Sequence, residues 1–398
     1  MSILRLMSRP QLWTMGVSLP KVAARQGERA EAAGWDGLLM VDSQNLAGDT
    51  YIALAMAAHA TERIGLGTGV TNPWTRHPAV TASAIATVQA ESGGRAVLGI
   101  GRGDSALAHI GLAPASVKRL ERYVAQVQAY LRGDGVSFED LGAAGADAPP
   151  TLDHLGLADA PDDSRLAWLR PEQPKVPVDI AATGPKVIAV AGRVADRVTF
   201  AVGADPDRLA WAIDTVRKAR ADAGLDPESL QIGAYINVVA HADIDTARQL
   251  ASGGLASFAR FSVMHGKATG PVGESQREVL EDISRRYDMT HHTRADGAQT
   301  GALTAEFIDR FGVVGPPERC VERIVELAGL GIERFAVIGP SAGADRREGE
   351  TARQTFENEV IPALSSKITP ETGVIYDESQ SNRVPSPTGA KAGGRLST

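Results

Sequence analysis

The sequence is poor in several features that mark whole classes of protein. Cys320 is the one cysteine among 398 residues, which excludes an internal disulfide framework or a thiolate metal cluster and fits a reducing cytoplasm. No apolar run reaches the ~18 residues that span a bilayer, and the N-terminus lacks the long apolar core of a signal peptide. Basic residues number 41 against 48 acidic ones, a net charge of −7. These absences predict a cytoplasmic protein with neither a membrane nor a nucleic acid as partner.

What the chain does have is a regular alternation of short apolar runs with amphipathic stretches. Eight runs, each bounded by Gly, Pro or charge, are apolar on both faces, which is typical of strands in a covered parallel sheet. They are Trp13–Ser18, Trp35–Asp42, Arg63–Val70, Arg95–Gly101, Pro177–Thr183, Arg197–Val202, Ile232–Ala240 and Glu333–Gly339. The alternation predicts an α/β fold of the (β/α)8 TIM barrel type. A doubly wound Rossmann-type sheet is the alternative.

Three segments are additional to the eight strand–helix units of a minimal barrel. Residues 134–175, after helix 4, are rich in Ala, Asp, Pro and Gly, and residues 253–305, between strands 7 and 8, are mostly polar with helical pieces. We therefore predict one barrel domain over residues 1–364 with these two insertions. Residues 365–398 have almost no apolar periodicity, which predicts a mobile C-terminal tail.

The ends of the second and third predicted strands carry unusual residues, and in a barrel the chemistry lies on the loops that follow the strands. Asp42 ends the second strand, where its carboxylate could hold a ligand or cap the next helix. The third strand reads "GLGTGVTNP", with glycine at 65, 67 and 69. Glycine lets a flat ligand approach the backbone, although a plain loop is the alternative.

Two later strands also end in candidate sites. "GIGRGDSA" follows strand 4, and its glycine spacing differs from the dinucleotide fingerprint, so a Rossmann NAD site is not predicted. Asp104 in this turn is a candidate proton donor or acceptor, or else a turn-forming residue. Thr183, Gly184 and Pro185 begin the next helix, whose free N–H groups could bind a phosphate; a simple proline-initiated helix is the alternative.

Histidine and cysteine give weaker signals. His291 and His292 are adjacent in an insertion, where they could contact substrate, but a solvated loop is the other reading. Neither a cysteine nor a spaced set of carboxylates lies nearby, so no metal site is predicted. Cys320 lies in an apolar helix, which indicates a core residue rather than a nucleophile.

These motifs together resemble the bacterial luciferase-like superfamily of flavin- and deazaflavin-dependent barrel oxidoreductases. The resemblance rests on "AEAAGWDGLLMVDSQ", "IGLGTGVTNPWTRHPAVTASAIATVQAESGGRAVLGIGRGDSA", "IAATGPKVIAVAGRVADRV" and "FGVVGPPERCVERIVELAGLGIERFAVIG", in barrel order between residues 13 and 339. Within the superfamily the chain looks most similar to the branch that uses coenzyme F-420 and includes methylenetetrahydromethanopterin reductase.

The resemblance implies where a deazaflavin would bind. It places the ring at the C-terminal mouth, against a non-prolyl cis peptide between Gly69 and Val70 and the loop of Thr71 and Asn72. Asp42 matches a carboxylate near the ring, and Asp104 matches an acidic residue for proton transfer or substrate binding. The cofactor phosphate would be bound by the backbone of Ala182, Thr183 and Gly184.

Two departures from the branch leave the substrate open. Ser18 stands where methylenetetrahydromethanopterin reductase has a catalytic-site glutamate, and Ser43 stands where the branch's glucose-6-phosphate dehydrogenase has a histidine. Ser18, Ser43, His291 and His292 are therefore candidate substrate contacts.

The resemblance implies hydride transfer between reduced coenzyme F-420 and an electrophilic carbon of a small molecule, such as an imine, enone or carbonyl. The alternative is an FMN-dependent monooxygenase that takes reduced FMN from a partner reductase and uses O2; a non-enzymatic flavin-binding barrel is a third reading. Such barrels often form homodimers through helices 2 and 3, and the Ala-rich stretches "DTYIALAMAAHA" and "TASAIATVQA" suit close helix packing.

Overall fold

A computed structural model describes residues 9–142, 150–264 and 266–367 of the protein. In these ranges the strands are β1 (Gln11–Gly16), β2 (Gly37–Met40), β3 (Gly65–Thr68), β4 (Ala96–Ile100), β5 (Val178–Ala182), β6 (Arg197–Phe200), β7 (Gln231–Ala240), β8 (Val313–Gly315) and β9 (Arg334–Ile338). The helices are α1 (Ala23–Ala32), α2 (Thr50–Ala60), α3 (Pro78–Glu91), α4 (Ser105–Ala108), α5 (Val117–Arg132), α6 (Phe138–Leu141), α7 (Pro185–Val194), α8 (Pro206–Asp222), α9 (Ile244–Phe261), α10 (Glu274–Arg286), α11 (Ala305–Phe311), α12 (Pro317–Ala328), α13 (Arg346–Thr355) and α14 (Ile361–Lys367). In the described ranges, no helix is long and apolar enough to cross a membrane.

Eight of the strands close into a parallel barrel. Each of β1 to β6 pairs with the next strand, β7 pairs with β9, and β9 pairs with β1. All eight predicted strands overlap these barrel strands, so the (β/α)8 barrel is confirmed and the doubly wound sheet is wrong. The sequence did not reveal β8, a short strand that pairs with the outer end of β7 through Val238 and Val313.

The alternation of side chains along the strands builds two separate cores. On β1, Leu12 points to the surrounding helices, while Trp13 points into the barrel. The helix-facing core also includes Leu38, Leu66, Leu98, Ile180 and Val198. The interior is filled by Trp13, Leu39, Val97, Ala201, Tyr235 and Ala336. This period of two is what a strand buried on both faces requires.

The glycines of β3 make room for the interior side chains. A Cβ atom at Gly65 would lie 2.7 Å from the Trp13 ring, and one at Gly67 would lie 2.8 Å from Leu39 Cδ2. A Cβ at Gly37, on the neighbouring strand, would lie 2.0 Å from the same ring. The strand is therefore rich in glycine because a tryptophan occupies the barrel interior, and this packing role was not anticipated from the sequence.

Below the tryptophan the interior holds a buried ion pair. Arg334 of β9 donates to Asp179 of β5, and the Thr199 hydroxyl also donates to Asp179. The guanidinium carbon lies 5.7 Å from the centroid of the Trp13 ring. The amino-terminal end of the barrel is thereby closed by charged groups that satisfy one another.

The two predicted insertions differ in structure. The first contains α6 and a 3-10 turn at Leu152–Leu155, while residues 143–149 lie outside the described ranges. The second contains α10, and its predicted start at Gly253 falls inside α9, which continues to Phe261. A second hydrophobic cluster, including Leu255, Leu280, Ile283 and Phe311, packs this insertion onto the outer ends of β7 and β8.

The division into one domain with two insertions stays a prediction. Helix α14 extends to Lys367, and the remainder of the predicted tail lies outside the described residues. Cys320 is fully buried in the helix-facing core, as predicted, and burial raises the pKa of its thiol to about 12.

Candidate active site

A cavity of about 1020 Å³ opens at the carboxyl ends of the barrel strands. Nine of the predicted site residues line it: Asp42, Ser43, Gly69, Val70, Asn72, Asp104, Thr183, Gly184 and His292. Four others do not: Ser18, Thr71, Ala182 and His291. This volume is at the upper end of the range for small-molecule and cofactor pockets, roughly 300–1,000 Å³.

The end of β3 forms one wall through its backbone. The peptide bond between Gly69 and Val70 is cis. The Gly69 N–H donates to Met40 at 2.7 Å, and the Thr71 N–H donates to Gly99 at 3.0 Å, so this turn is fixed to strands on both sides. Thr71 is fully buried and holds the backbone in place, whereas Val70 presents its side chain to the cavity.

Asn72 combines a structural bond with an unused donor. Its Oδ1 accepts from the N–H groups of Trp74 and Thr75 at 3.0 and 3.1 Å, which fixes the amide orientation. Its Nδ2 is buried and has no hydrogen-bond partner among the described residues. Buried donors are normally satisfied, so an unpaired amide in a cavity wall fits a bound ligand with an acceptor atom.

Asp42 lies in a buried charge network that the sequence did not reveal. Its Oδ2 accepts from Arg76 Nη1 at 2.6 Å, and its Oδ1 accepts from Gln44 at 2.7 Å. Arg76 also bonds Asp49 at 2.8 Å. Burial opposes the positive charge of Arg76, yet the bonds to the two carboxylates raise the pKa of its guanidinium above the usual value. The cap of α2 is Asp49 rather than Asp42, because Asp49 accepts from the N–H groups of Tyr51 and Ile52.

The start of α7 offers free backbone donors. Gly184 is the N-cap, and no side chain caps this helix end. A Cβ at Gly184 would meet no heavy atom within 4 Å, so the space in front of the helix is open. Lys186 also lines the cavity. An uncapped helix N-terminus with a nearby ammonium group suits a phosphate, and the phosphate site at Thr183 and Gly184 stays a prediction. Ala182 is the last residue of β5, and its side chain is buried.

The second insertion supplies the wall opposite β3. Asp104 accepts from Arg260 Nη1 of α9 at 2.7 Å. The Arg260 guanidinium carbon lies 4.4 Å from the centroid of the Tyr287 ring. The Tyr287 hydroxyl in turn lies 2.6 Å from Nδ1 of His292. Asp104 and His292 were predicted separately, and Arg260 and Tyr287 connect them.

The other candidate substrate residues lie elsewhere or have structural bonds. His291 Nδ1 bonds Asp288 at 2.6 Å and does not line the cavity. The hydroxyl of Ser18 is buried and donates to the Val41 carbonyl at 2.9 Å. Ser43 lines the cavity. Among the described residues, no group of three or more His, Cys, Asp or Glu side chains could hold a metal ion.

A parallel α/β barrel with a large cavity at the carboxyl ends of its strands, lined by an uncapped helix start and by paired titratable groups, has the architecture of an enzyme site. A family model for luciferase-like monooxygenases matches residues 6–334, and the chain belongs to this family.

Individual relatives share between a quarter and a third of their residues with this chain. The chain is 29% identical over 342 residues to 5,10-methylenetetrahydromethanopterin reductase of Archaeoglobus fulgidus, covering 84% of this chain and 93% of the relative. It is 28% identical to the phthiodiolone/phenolphthiodiolone dimycocerosates ketoreductase of Mycobacterium kansasii, covering 70% of this chain and 73% of the relative. The solved coenzyme F-420 dependent tetrahydromethanopterin reductase of Methanopyrus kandleri superposes with a TM-score of 0.67 at 24% identity, covering 90% of this chain and all of that one.

Proposed function

We propose that this protein is an oxidoreductase that transfers a hydride between coenzyme F-420 and an organic substrate with an electrophilic carbon. The observation that carries the proposal is the assembly of the predicted cofactor residues around one cavity: Asp42, Gly69, Val70, Asn72, Thr183 and Gly184. Relatives that act as reductases on a methylene-pterin and on a ketone support this reaction type.

The residues present fit a bound deazaflavin. The backbone of Gly69 and Val70 would back the ring, and the unpaired Nδ2 of Asn72 would donate to an acceptor atom on it. The start of α7 and Lys186 would hold the phosphate. When bound, the cofactor supplies a hydride donor or acceptor, while the protein orients the substrate against it at near-attack distance.

Asp42, with its partner Arg76, would stabilise charge that develops on the bound cofactor. Its carboxylate is held in one orientation by Arg76 and Gln44, so the ion pair forms a preorganised dipole in the cavity wall. Such a dipole costs no reorganisation when charge develops on a bound ring. Asp104 also lines the cavity, where it would supply or accept the proton that accompanies the hydride.

A direct test is fluorescence titration of the purified protein with oxidised F-420 and, in parallel, with FMN. We expect saturable binding of F-420 with weaker binding of FMN, and Gly184→Ala should weaken F-420 binding because its methyl group occupies the open space before α7. Binding of neither cofactor would contradict the proposal.

The second candidate function is an FMN-dependent monooxygenase served by a separate flavin reductase. The family to which the chain belongs is named for this activity. Oxygen consumption with chemically reduced FMN, in the presence of candidate organic substrates, would favour this candidate. Tight F-420 binding without oxygen consumption would exclude it.

We also propose a homodimer. Three apolar residues of α2 and α3 are exposed to solvent. The exposed fractions are 68% for Ile52, 54% for Met56 and 55% for Val80. Apolar side chains grouped on adjacent helices favour a partner surface. Light scattering is expected to give twice the chain mass, and a monomeric mass would contradict the dimer. We also propose a cytoplasmic location, because a sequence with a single cysteine fits a reducing compartment.

A further inference from the structure

The cavity lining has an excess of positive charge, although the chain as a whole has a net charge of −7. Each carboxylate of the lining is paired with an arginine: Asp42 with Arg76, Asp104 with Arg260, and Glu357 with Arg353. The cations that remain are Arg102, Lys186 and Lys267, none of which forms an ion pair with a described residue. A cavity lined by unpaired charges of one sign attracts a ligand of the opposite sign.

Arg102 differs from the two lysines because the fold holds it in place. It lies in the turn after β4, where its carbonyl oxygen accepts from the Ala115 N–H at 2.9 Å. Its side-chain Nε donates in return to the Ala115 carbonyl oxygen. Ala115 is fully buried, so this anchor is fixed, whereas Lys186 and Lys267 are exposed residues. Arg102 is therefore the cation of this set that is positioned before a ligand binds.

The anchor leaves the binding end of the Arg102 side chain unused. A guanidinium group has five N–H donors, and the bond to Ala115 uses the one on Nε. No described residue accepts from Nη1 or Nη2, and Asp104, two positions along, is directed at Arg260 instead. Burial lowers the pKa of the Arg102 guanidinium, and no described carboxylate offsets this effect. The two free terminal groups form a planar fork of the shape that binds a carboxylate or a phosphate.

We propose that Nη1 and Nη2 of Arg102 form an anion-binding subsite of the cavity, which binds a carboxylate or phosphate group of the ligand through two parallel hydrogen bonds. The subsite lies after β4, on the strand next to β5, so it is additional to the phosphate site proposed at the start of α7. This inference rests on the proposed function for the identity of the cofactor. The acidic group belongs either to F-420, which carries a phosphate and glutamate carboxylates, or to an acidic substrate.

The first measurement tests the subsite in the wild-type protein without any activity assay. Phenylglyoxal modifies arginines whose terminal nitrogen atoms are accessible, and mass spectrometry of the peptides follows each site separately. We expect Arg102 to react and to be protected by F-420 or, in the protein without cofactor, by inorganic phosphate and glutarate. Arg277 of α10 is the internal control, because it is exposed and does not line the cavity. Its modification should not depend on these anions.

The second measurement compares cofactor affinity in matched variants. Arg102→Gln and the control Arg277→Gln are titrated by fluorescence with F-420 and with FO, the deazaflavin core that lacks the phosphate and the glutamates. If the acidic group belongs to the cofactor, Arg102→Gln should weaken F-420 binding about 10- to 100-fold and leave FO binding unchanged. Arg102→Lys, which keeps the charge but loses the fork, should recover part of this loss.

The same variants identify an acidic substrate as the source. In that case Arg102→Gln should bind F-420 with the wild-type affinity. Inorganic phosphate and glutarate should still protect Arg102 from phenylglyoxal in the wild-type protein after F-420 has been bound, because the subsite then stays open beside the cofactor.

Three outcomes would overturn the subsite: an Arg102 that does not react with phenylglyoxal, an Arg102 that none of the three anions protects, or equal weakening of F-420 and FO binding in Arg102→Gln. The last result would mean that Arg102 only supports the cavity wall through Ala115. Failure of the wild type to bind F-420 would contradict the proposed function, and protection of Arg102 by phosphate would still decide the subsite. Normal F-420 binding without protection would overturn the subsite alone.

Discussion

The two ends of the barrel each contain an aspartate–arginine pair, in opposite settings. Asp179 and Arg334 lie inside the barrel, with side chains 11 and 6% exposed. Asp104 and Arg260 lie at the mouth, 14 and 18% exposed, beside a large cavity. The partners of the inner pair are Thr199 and the Trp13 ring, all from barrel strands, whereas Arg260 stacks on Tyr287 from the insertion.

The difference shows that two aspartate–arginine pairs of the same chemistry can have different roles, depending on where in the barrel they lie. The inner pair does not line the cavity, and its charges satisfy each other, so we expect its loss to reduce stability. The outer pair borders open space and holds a tyrosine that orients a titratable histidine. In barrels of this kind the amino-terminal end supports the fold and the carboxyl-terminal end carries the chemistry.

The largest expected effect is loss of the inner pair. Arg334→Met leaves Asp179 buried without its counter-charge and should lower the free energy of unfolding by about 3–5 kcal/mol. The matched variant Arg260→Met should cost less, because the Asp104 carboxylate left behind borders the cavity, where water can reach it. Urea unfolding followed by circular dichroism measures both. Equal losses would show that the two ends do not differ in the way proposed.

The architecture of the closed end could be predicted from sequence because its signals are local. A strand buried on both faces shows as a short apolar run, and glycine and proline mark the helix ends, so all eight barrel strands were found. The strand β8 was missed because Val313–Gly315 is too short to show a period. The glycines of β3 were assigned to ligand approach, since the sequence does not show that Trp13 fills the space beside them.

The open end was predicted only in part. Asp42, Asp104 and the start of α7 stand directly after strands, where position alone makes them candidates. Arg76, Arg260 and Tyr287 carry no such signal, because their roles depend on contacts across the fold. The bond from Arg260 to Asp104 joins residues 156 positions apart, and only the packing of α9 against the mouth brings them together.

A second comparison uses one glycine inside the barrel and one at its mouth. A methyl group at Gly67 would lie 2.8 Å from Leu39 Cδ2 and 3.1 Å from the Val97 carbonyl, so Gly67→Ala should cost about 1–3 kcal/mol of stability through overpacking. Gly184→Ala adds its methyl group to open space and should leave thermal unfolding unchanged. It should weaken F-420 binding about tenfold, or ~1.4 kcal/mol. Calorimetry and fluorescence titration separate these effects, and a destabilised Gly184→Ala protein would argue against an open phosphate site.

The smallest expected effect is a pH dependence of stability that belongs to the mouth. Burial lowers the pKa of His292 in the folded protein, while the unfolded chain has an ordinary value of about 6.5. The folded state therefore binds fewer protons, so the contribution of His292 is complete above about pH 6.5. It is lost as the pH falls through the folded-state pKa. Wild type and His292→Gln should differ in free energy of unfolding by an amount that shrinks on acidification. A difference that grows would mean that the charge of Asp104 outweighs burial and Arg260 and raises the pKa of His292 instead.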